Sequence, residues 1–540
     1  MSTSTLAERQ AGPGLTRGTL TAAIVGVCAA EFALVVVGVL NGLFQEDLHT
    51  SSSQLTWISD AFPLPITILE LTFGVVGDLF GRRRLAIAGG ALLAAGELLS
   101  AFAPSVYALW AGQALAGIGA AALFPTTLAM VAAGTATHRE RARSISLWAA
   151  ALATGGFLSP VIGGAVSGLR WGGDATAGWR WARRSVAVLA VISIIVTSVL
   201  ARESRSREGR SLDIGGQVTI AIALFALLFA VIQGPASGWG SGLVVGGFIL
   251  AAAAFAAFVA VERRTTAPLL RLELFANRAF SVSAVVTVLG MFAYLGTCYC
   301  VSIRLSAIQG FSPLRTSIVF VLINAVSLAM QPVTARVIER FNPRYVLTLG
   351  FACIGGGNLW LATIPVSDTH LPAIAVPLVI VGIGFALSVA AVTAVTVNTV
   401  PIGLAGMASG TTSLLRDFGF ALAPAVIGTI ALSRAAAEVA REAPQVPRSL
   451  LAAAGPLGLD SPARPAGAAV QRIAFDALGH AYSLGFVICG VCGLLASLLV
   501  LCVLRGHAAA AARQVPAGDP GAVLAPEGGQ VLPPAGLGEA

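Results

Sequence analysis

The stretch GVVGDLFGRRRL, Gly74 to Leu85, decides how this chain is read. One Asp and three Arg fall within seven positions, although only 11% of the 540 residues are charged. Long apolar runs flank it on both sides. Charge packed so densely between apolar runs marks a short aqueous turn joining two membrane helices.

The composition supports that reading. The chain is 56% hydrophobic, with a mean hydropathy of +0.85. Soluble domains are about 45–50% apolar and about 25% charged. Every basic residue apart from five His is Arg, and Lys is absent. A Walker A loop and a Schiff base both need Lys, so neither chemistry is open to this chain. The net charge of +8 fits loop Arg facing an anionic leaflet better than nucleic acid. The seven Cys lie in apolar runs and imply no disulfide framework. Cys489 and Cys492 have metal-like spacing without His or a second Cys pair, and read as small packing residues. No cofactor or metal is expected.

A membrane helix needs about 20 mostly apolar residues. Fourteen such runs are present, near 19–42, 55–76, 85–104, 107–131, 143–168, 184–201, 213–232, 241–261, 280–302, 314–335, 345–364, 372–397, 405–431 and 481–504. An even number returns the chain to its starting side. The loops on that side hold Arg82 to Arg84, Arg139, Arg141, Arg143, Arg202, Arg205, Arg207, Arg210, Arg263, Arg264, Arg271, Arg278, Arg336, Arg340 and Arg344. The opposite loops hold Arg170, Arg180, Arg183, Arg184, Arg304 and Arg315. This bias of about 17 to 6 places both termini in the cytoplasm. Trp57, Trp110, Trp171, Trp179, Trp181, Trp239 and Trp360 then fall at the outer interface as an aromatic belt.

An internal repeat organises the helices. GVVGDLFGRRRLAIAG recurs, weakened, as ARVIERFNPRYVLTLG from Ala335, matching Asp78 to Glu339, Arg83 to Arg344 and Gly89 to Gly350. LAGIGAA (115–121) is echoed by IVGIGFA (380–386), and GGFLSPVIGG (155–164) by GFALAPAVIG (419–428). All three separations are 261–265 residues. Two homologous halves enclosing a midplane site are a transporter architecture. The expected fold is all-α, with 6 + 2 + 6 helices. The expected parts are a cytoplasmic tail (1–18), a first half (19–201), two extra helices (202–279), and a second half (280–504) with an outer loop at 432–480. A Pro/Gly/Ala tail at 505–540 is expected to be disordered.

Glu70, Gly74 and Gly77 share one face of helix two at helical spacing. Small residues there let another helix approach closely. Asp78 can bond a neighbouring Arg or sit at a helix N-terminus, a contact worth about 0.3–1 kcal/mol. Gly74, Gly77, Asp78, Gly81, Arg82 and Arg83 therefore form a candidate cytoplasmic gate. On helix five, Gly156, Pro160, Gly163 and Gly164 are a candidate close-packing stripe along one side, with Gly155 in the same motif and Pro160 removing one backbone bond.

These stretches resemble the major facilitator superfamily, in particular its fourteen-helix drug:proton antiporters, over nearly the whole chain to about residue 505. GVVGDLFGRRR is similar to that superfamily's loop 2–3 signature, and GGFLSPVIGG to its antiporter motif. WISDAF (57–62), GWRW (178–181), FSPLRTS (311–317) and AGMASGTTSLLRDFG (405–419) resemble the same branch. There are departures. Leu79 follows the loop Asp where a basic residue is usual, and Gln113 stands where helix four normally carries an Arg linked to proton coupling. Ser159 replaces a usual Gly, and Glu31 takes the place of a helix-one Asp.

Ionisable residues inside the membrane carry the expected chemistry. Glu31, Asp60, Glu70, Glu97, Arg416 and Asp417 all fall within helices. Each costs about 2.5–3.5 kcal/mol at the bilayer centre on insertion scales, so they must pair or face a wet cavity. Glu97 reads best as half of a structural ion pair, and Arg416 as the partner of a carboxylate. Burial disfavours the charged form of an acid, so one carboxyl can hold either a proton or an organic cation. The expected function is export of hydrophobic, cationic small molecules against protons. Glu31 would exchange the proton, and Asp60, Glu70, Asp417, Arg416 and Gln113 would assist coupling. The protein would act as a monomer in a bacterial cytoplasmic membrane, with substrate, protons and lipid as its partners. Rivals are a dedicated exporter of one metabolite, a lipid-modifying membrane enzyme, and a transporter-like sensor. The five His are scattered, which disfavours the enzyme.

Overall fold

The computed structural model describes residues 15–135, 138–205, 212–266, 268–397, 405–444, 446 and 468–503. Among them fourteen helices are long and apolar enough to cross a membrane. They are α1 (Arg17–Leu48), α2 (Ser53–Phe80), α3 (Arg82–Ala101), α4 (Val106–Ala133), α5 (His138–Val166), α6 (Trp179–Leu200), α7 (Ile214–Ser237), α8 (Gly242–Glu262), α9 (Arg278–Ser302), α10 (Pro313–Arg340), α11 (Pro343–Thr363), α12 (Leu371–Val397), α13 (Ala405–Glu442) and α14 (Ala468–Val503). No strand occurs among the described residues beyond an isolated bridge between Trp171 and Asp174. The 1–14 and 504–540 portions of the expected tails lie outside the described residues.

Helix starts follow capping chemistry. Thr16, Ser105, Asp213, Ser241 and Ser312 each accept a backbone N–H of the first turn of α1, α4, α7, α8 and α10. Such caps satisfy donors that a helix start leaves unpaired. Two boundaries differ from the sequence reading. Helix two is two pieces, Ser52–Asp60 and Pro63–Phe80, because Pro63 has no N–H to continue the ladder. The segment 432–480 is not all loop: α13 runs on to Glu442 and α14 starts at Ala468. At 1.5 Å per residue these helices of 38 and 36 residues exceed the roughly 30 Å hydrocarbon core. Their projecting ends pack as a hairpin on Leu432, Ala435, Val439, Val470, Ala474 and Leu478, with His480 against Glu438 at 2.9 Å.

The repeat is visible as equivalent contacts. A Cβ on Gly89 of α3 would lie 2.9 Å from the Gly119 carbonyl of α4, and one on Gly350 of α11 would lie 2.9 Å from the Gly384 carbonyl of α12. Arg83 donates to the last carbonyls of α6, Thr197 and Ser198. Its repeat mate Arg344 donates to those of α14, Val500 and Leu501. Cationic side chains complement the negative end of a helix dipole in both halves.

The halves meet along two seams, α5 against α10 and α2 against α13. At the end of the bundle away from Arg17 and Val503, Asn41 of α1 donates to Ser302 of α9 (2.9 Å), and Thr56 of α2 bonds Tyr299 of α9 (3.2 Å). The extra helix α7 lies across the α2/α13 seam. Gln217 donates to the Ile68 carbonyl of α2 (2.6 Å) and accepts from Thr72, while Thr429 of α13 donates to the Val231 carbonyl (2.9 Å). Leu228 and Ile232 of α7 pack with Leu64 of α2 and Ala421 and Ala425 of α13.

Candidate functional site

The charged turn at Gly81 joins α2 to α3. Gly81 has φ 114°, a conformation that L side chains rarely adopt, and a Cβ there would lie 2.7 Å from Glu203 Oε1. Asp78 accepts from Arg82 Nε (3.0 Å) and Nη2 (2.7 Å), one helical turn on. Glu203 accepts from the Arg83 N–H (3.1 Å), and the Arg82 N–H donates to the Ser204 carbonyl (3.1 Å). The turn thus clasps α2, α3 and the end of α6 within the first half. Gly77 lies beside Thr126 of α4, and Gly74 beside Pro125. The small residues admit α4.

Helix α5 carries two stripes rather than one. Gly155, Ser159 and Gly163 face α1. Added Cβ atoms at Gly155 and Gly163 would lie 2.6 Å from the Cys28 carbonyl and from Val36 Cγ2, and Ser159 donates to the Phe32 carbonyl (2.8 Å). Gly156 and Gly164 face α10, at 3.0 Å from Asn324 Oδ1 and 2.6 Å from Ser317 by the same measure. Pro160, four residues from each, falls on that stripe by helical spacing. The single-sided expectation fails because α5 is wedged between two helices. Overpacking such a contact costs about 1–3 kcal/mol. Gly164→Val is therefore expected to lower the thermal midpoint of the purified protein. Gly246→Val, at a site with open space around it, should leave the midpoint unchanged.

Four of the predicted ionisable residues converge where the halves meet. Arg416 of α13 holds Asp417 through Nε (2.9 Å) and Nη2 (3.3 Å), and reaches Glu70 of α2 at 3.8 Å. Thr67 donates to the Asp417 carbonyl (2.9 Å), fixing α2 to α13 at this level. Glu31 of α1 is half-buried and close enough to feel the charges of Arg416 and Asp417. Gly156 separates Glu31 from Asn324. Glu70 and Asp417 thus share one guanidinium, and Glu31 lies within range of its charge. Asn324, and Tyr294 of α9 stacked on Phe385 of α12 (centroids 3.5 Å, planes 6° apart), did not stand out in the sequence. Polar and aromatic residues in a membrane helix gain meaning only from what they face.

Asp60 and Gln113 stand apart from this cluster. Both are fully buried, and neither carboxylate oxygen nor either amide atom has a hydrogen-bond partner among the described residues. Trp57 lies 6.1 Å from Trp110, and Gly117 sits against the Phe62 carbonyl. Asp60 and Gln113 fall between these two levels of the same helix pair. Glu97 pairs with Arg183 of α6 at 3.3 Å, both 0% exposed. Arg183 and Arg304 are buried inside helices, not in outer loops, and Trp179 is buried with its Nε1 on Asp47 (2.8 Å). The loops expected on the outer side are therefore poorer in Arg, and the expected belt poorer in Trp, than the sequence suggests. The loop acids Asp174 and Asp368 are held below the usual carboxylate range, by the Thr176 hydroxyl and by the His370 N–H respectively. They stay charged and do not trade protons near neutral pH.

A family model described as the Major Facilitator Superfamily matches residues 22–424. The tetracenomycin C resistance and export protein of Streptomyces glaucescens is 28% identical over 417 residues, covering 77% of this chain and 76% of that protein. The multidrug efflux pump LfrA of Mycolicibacterium smegmatis is 27% identical over 427 residues, covering 77% and 82%. A bacterial homolog of the human lysosomal transporter Spinster, solved inward-facing and occupied, aligns with a TM-score of 0.65 at 14% identity, covering 90% of this chain and 96% of that one. That likeness speaks to the fold alone. Signature turn, paired halves and family match agree: the chain belongs to the major facilitator superfamily.

Proposed function

We propose that this protein exports hydrophobic, cationic small molecules across a bacterial cytoplasmic membrane in exchange for protons, rocking between two states around the Glu31–Glu70–Arg416–Asp417 cluster. The observation that carries the reading is the excess of acid at that cluster. Three carboxyls and one guanidinium between two halves leave two negative charges unbalanced, which protons or a substrate cation can meet. Arg416 spans the halves, so protonating Glu70 weakens a tie between them. The Tyr294–Phe385 stack offers an aromatic face to a flat cation. Orientation with both termini in the cytoplasm follows the Arg bias. The far-end bonds of Asn41 and Thr56 then close the outer mouth and must break in the outward-open state. Asp60 with Gln113 serves as a second acid, shielded inside the first half. The clasp at Asp78, Arg82 and Arg83 keeps α2, α3 and α6 moving as one body. The monomer holds the whole site, and the proton gradient replaces any cofactor.

The relatives' names, export of tetracenomycin C in one and multidrug efflux in another, fit this class. They also favour a second reading, a dedicated exporter of one metabolite. Energised inverted vesicles decide between them when loaded with a panel of lipophilic cations and neutral polyketides. Protonophore-sensitive uptake of several unrelated cations is expected. Uptake of one compound alone would favour the dedicated exporter. Uptake indifferent to the protonophore would sink proton coupling.

A further inference from the structure

The two extra helices bring together an acid pair that the cluster above does not use. α7 begins directly after Asp213, and α8 ends at Glu262. The hairpin therefore sets one helix N-terminus beside one helix C-terminus. Asp213 caps α7, its Oδ1 accepting the Gly216 N–H at 2.8 Å. A Cβ on Gly216 would lie 2.5 Å from Asp213 Oδ2 and 2.8 Å from Glu262 Oε1, so the two carboxyls face each other across a gap only a glycine leaves. The N–H groups of Leu269 and Leu270 approach Asp213 Oδ2 and Glu262 Oε2, each at 3.4 Å. Glu262 is 5% exposed, and its Oε1 is sealed from solvent with no hydrogen-bond partner among the described residues.

Among the described residues, the charged side chains around the pair do not neutralise it. Arg263 and Arg264 just past the end of α8, and Arg271 and Glu273 further along the chain, are exposed. The residues of α2 and α13 that meet this part of the hairpin, Ile68, Thr72 and Phe418, carry no charge. Two facing carboxylates cannot both remain ionised at low cost. The helix ends decide which one yields. A helix N-terminus carries about +0.5 charge and a C-terminus about −0.5. Glu262, at the negative end, is thus the one that yields. Oε1 has room for a proton but none for a cation that keeps its waters.

We propose that Glu262 holds a proton on Oε1 facing the Asp213 carboxylate, and that losing it loosens the base of the α7–α8 hairpin. The ionised pair would repel, and Leu269 and Leu270 would lose their anchor. Because α7 lies across the α2/α13 seam, this protonation site governs how tightly the seam is strapped. It senses pH on the side of the chain termini, separately from the exchange of substrate.

The test uses full-length protein in lipid nanodiscs and needs no transport. Infrared difference spectra should show a protonated-carboxyl band that bleaches as pH rises and is missing from E262Q. Backbone hydrogen exchange of residues 263–271, compared at matched pH, should be equal in wild type and E262Q at acidic pH. It should become at least about fivefold faster in wild type on the alkaline side. D213N removes the facing charge, so its bleaching should move to lower pH; this variant decides the matter if E262Q fails to fold. The same band in E262Q, a constant exchange ratio, or an unmoved D213N transition would overturn the proposal. So would Mg2+ slowing the exchange at fixed pH, which would put a metal ion where the proton is assigned.

Discussion

Glu31→Gln is expected to give a folded protein that still binds lipophilic cations but no longer exchanges them for protons. The side chain lies beside Gly155 and Gly156, and Gln keeps its shape, so the fit of α1 on α5 survives. What is lost is a charge that a proton or a substrate can each neutralise. One pH unit across the membrane supplies about 1.4 kcal/mol per proton, and 100 mV supplies about 2.3 kcal/mol per charge. With Glu31 as the proposed exchanging acid, neither is expected to drive export in this variant. In proteoliposomes, substrate-driven proton release should fall on the order of a hundredfold, on the scale of removing a positioned proton-transfer group, while the affinity for a probe cation changes far less. Undiminished proton release would remove Glu31 from the coupling role.

The largest effect on stability is expected at Glu97 and Arg183. Their 3.3 Å pair is wholly buried, with the Phe44 ring 5.6 Å from the guanidinium. Glu97→Ala strands a charge in the apolar core of the first half. Breaking a buried pair from one side costs about 3–5 kcal/mol, whereas replacing both partners by apolar residues of similar size is often neutral. Thermal unfolding in detergent should show a steep fall for Glu97→Ala and near-recovery for Glu97→Leu combined with Arg183→Met. A single variant as stable as wild type would mean that the pair does not hold α3 to α6.

Much of this was legible in the residues. Fourteen apolar runs became fourteen helices because a membrane-spanning helix announces itself by length and apolarity alone. The repeat held at contact level, as with Arg83 on α6 and Arg344 on α14. Boundaries were less legible. Polar residues such as Gln45, Glu46 and Asp47 end an apolar run without ending the helix, so α1, α13 and α14 outrun the hydropathy. Glu97 read best as half of a structural pair, but its partner did not. Arg183 looked like a loop residue because it follows GWRW at the start of a helix.

The sequence by itself determined the membrane class, the number of crossings, the two related halves and which ionisable residues lie inside the membrane-spanning helices. These depend on composition and period, which neighbours in the chain already contain. Only the tertiary structure decided that Arg416 joins Glu70 across the halves, that Asp60 and Gln113 lie apart from them, that α5 serves two neighbours at once, and that α7 straps a seam. An ionisable residue in a membrane acquires its role from the charges opposite it, and those sit on helices up to hundreds of residues away.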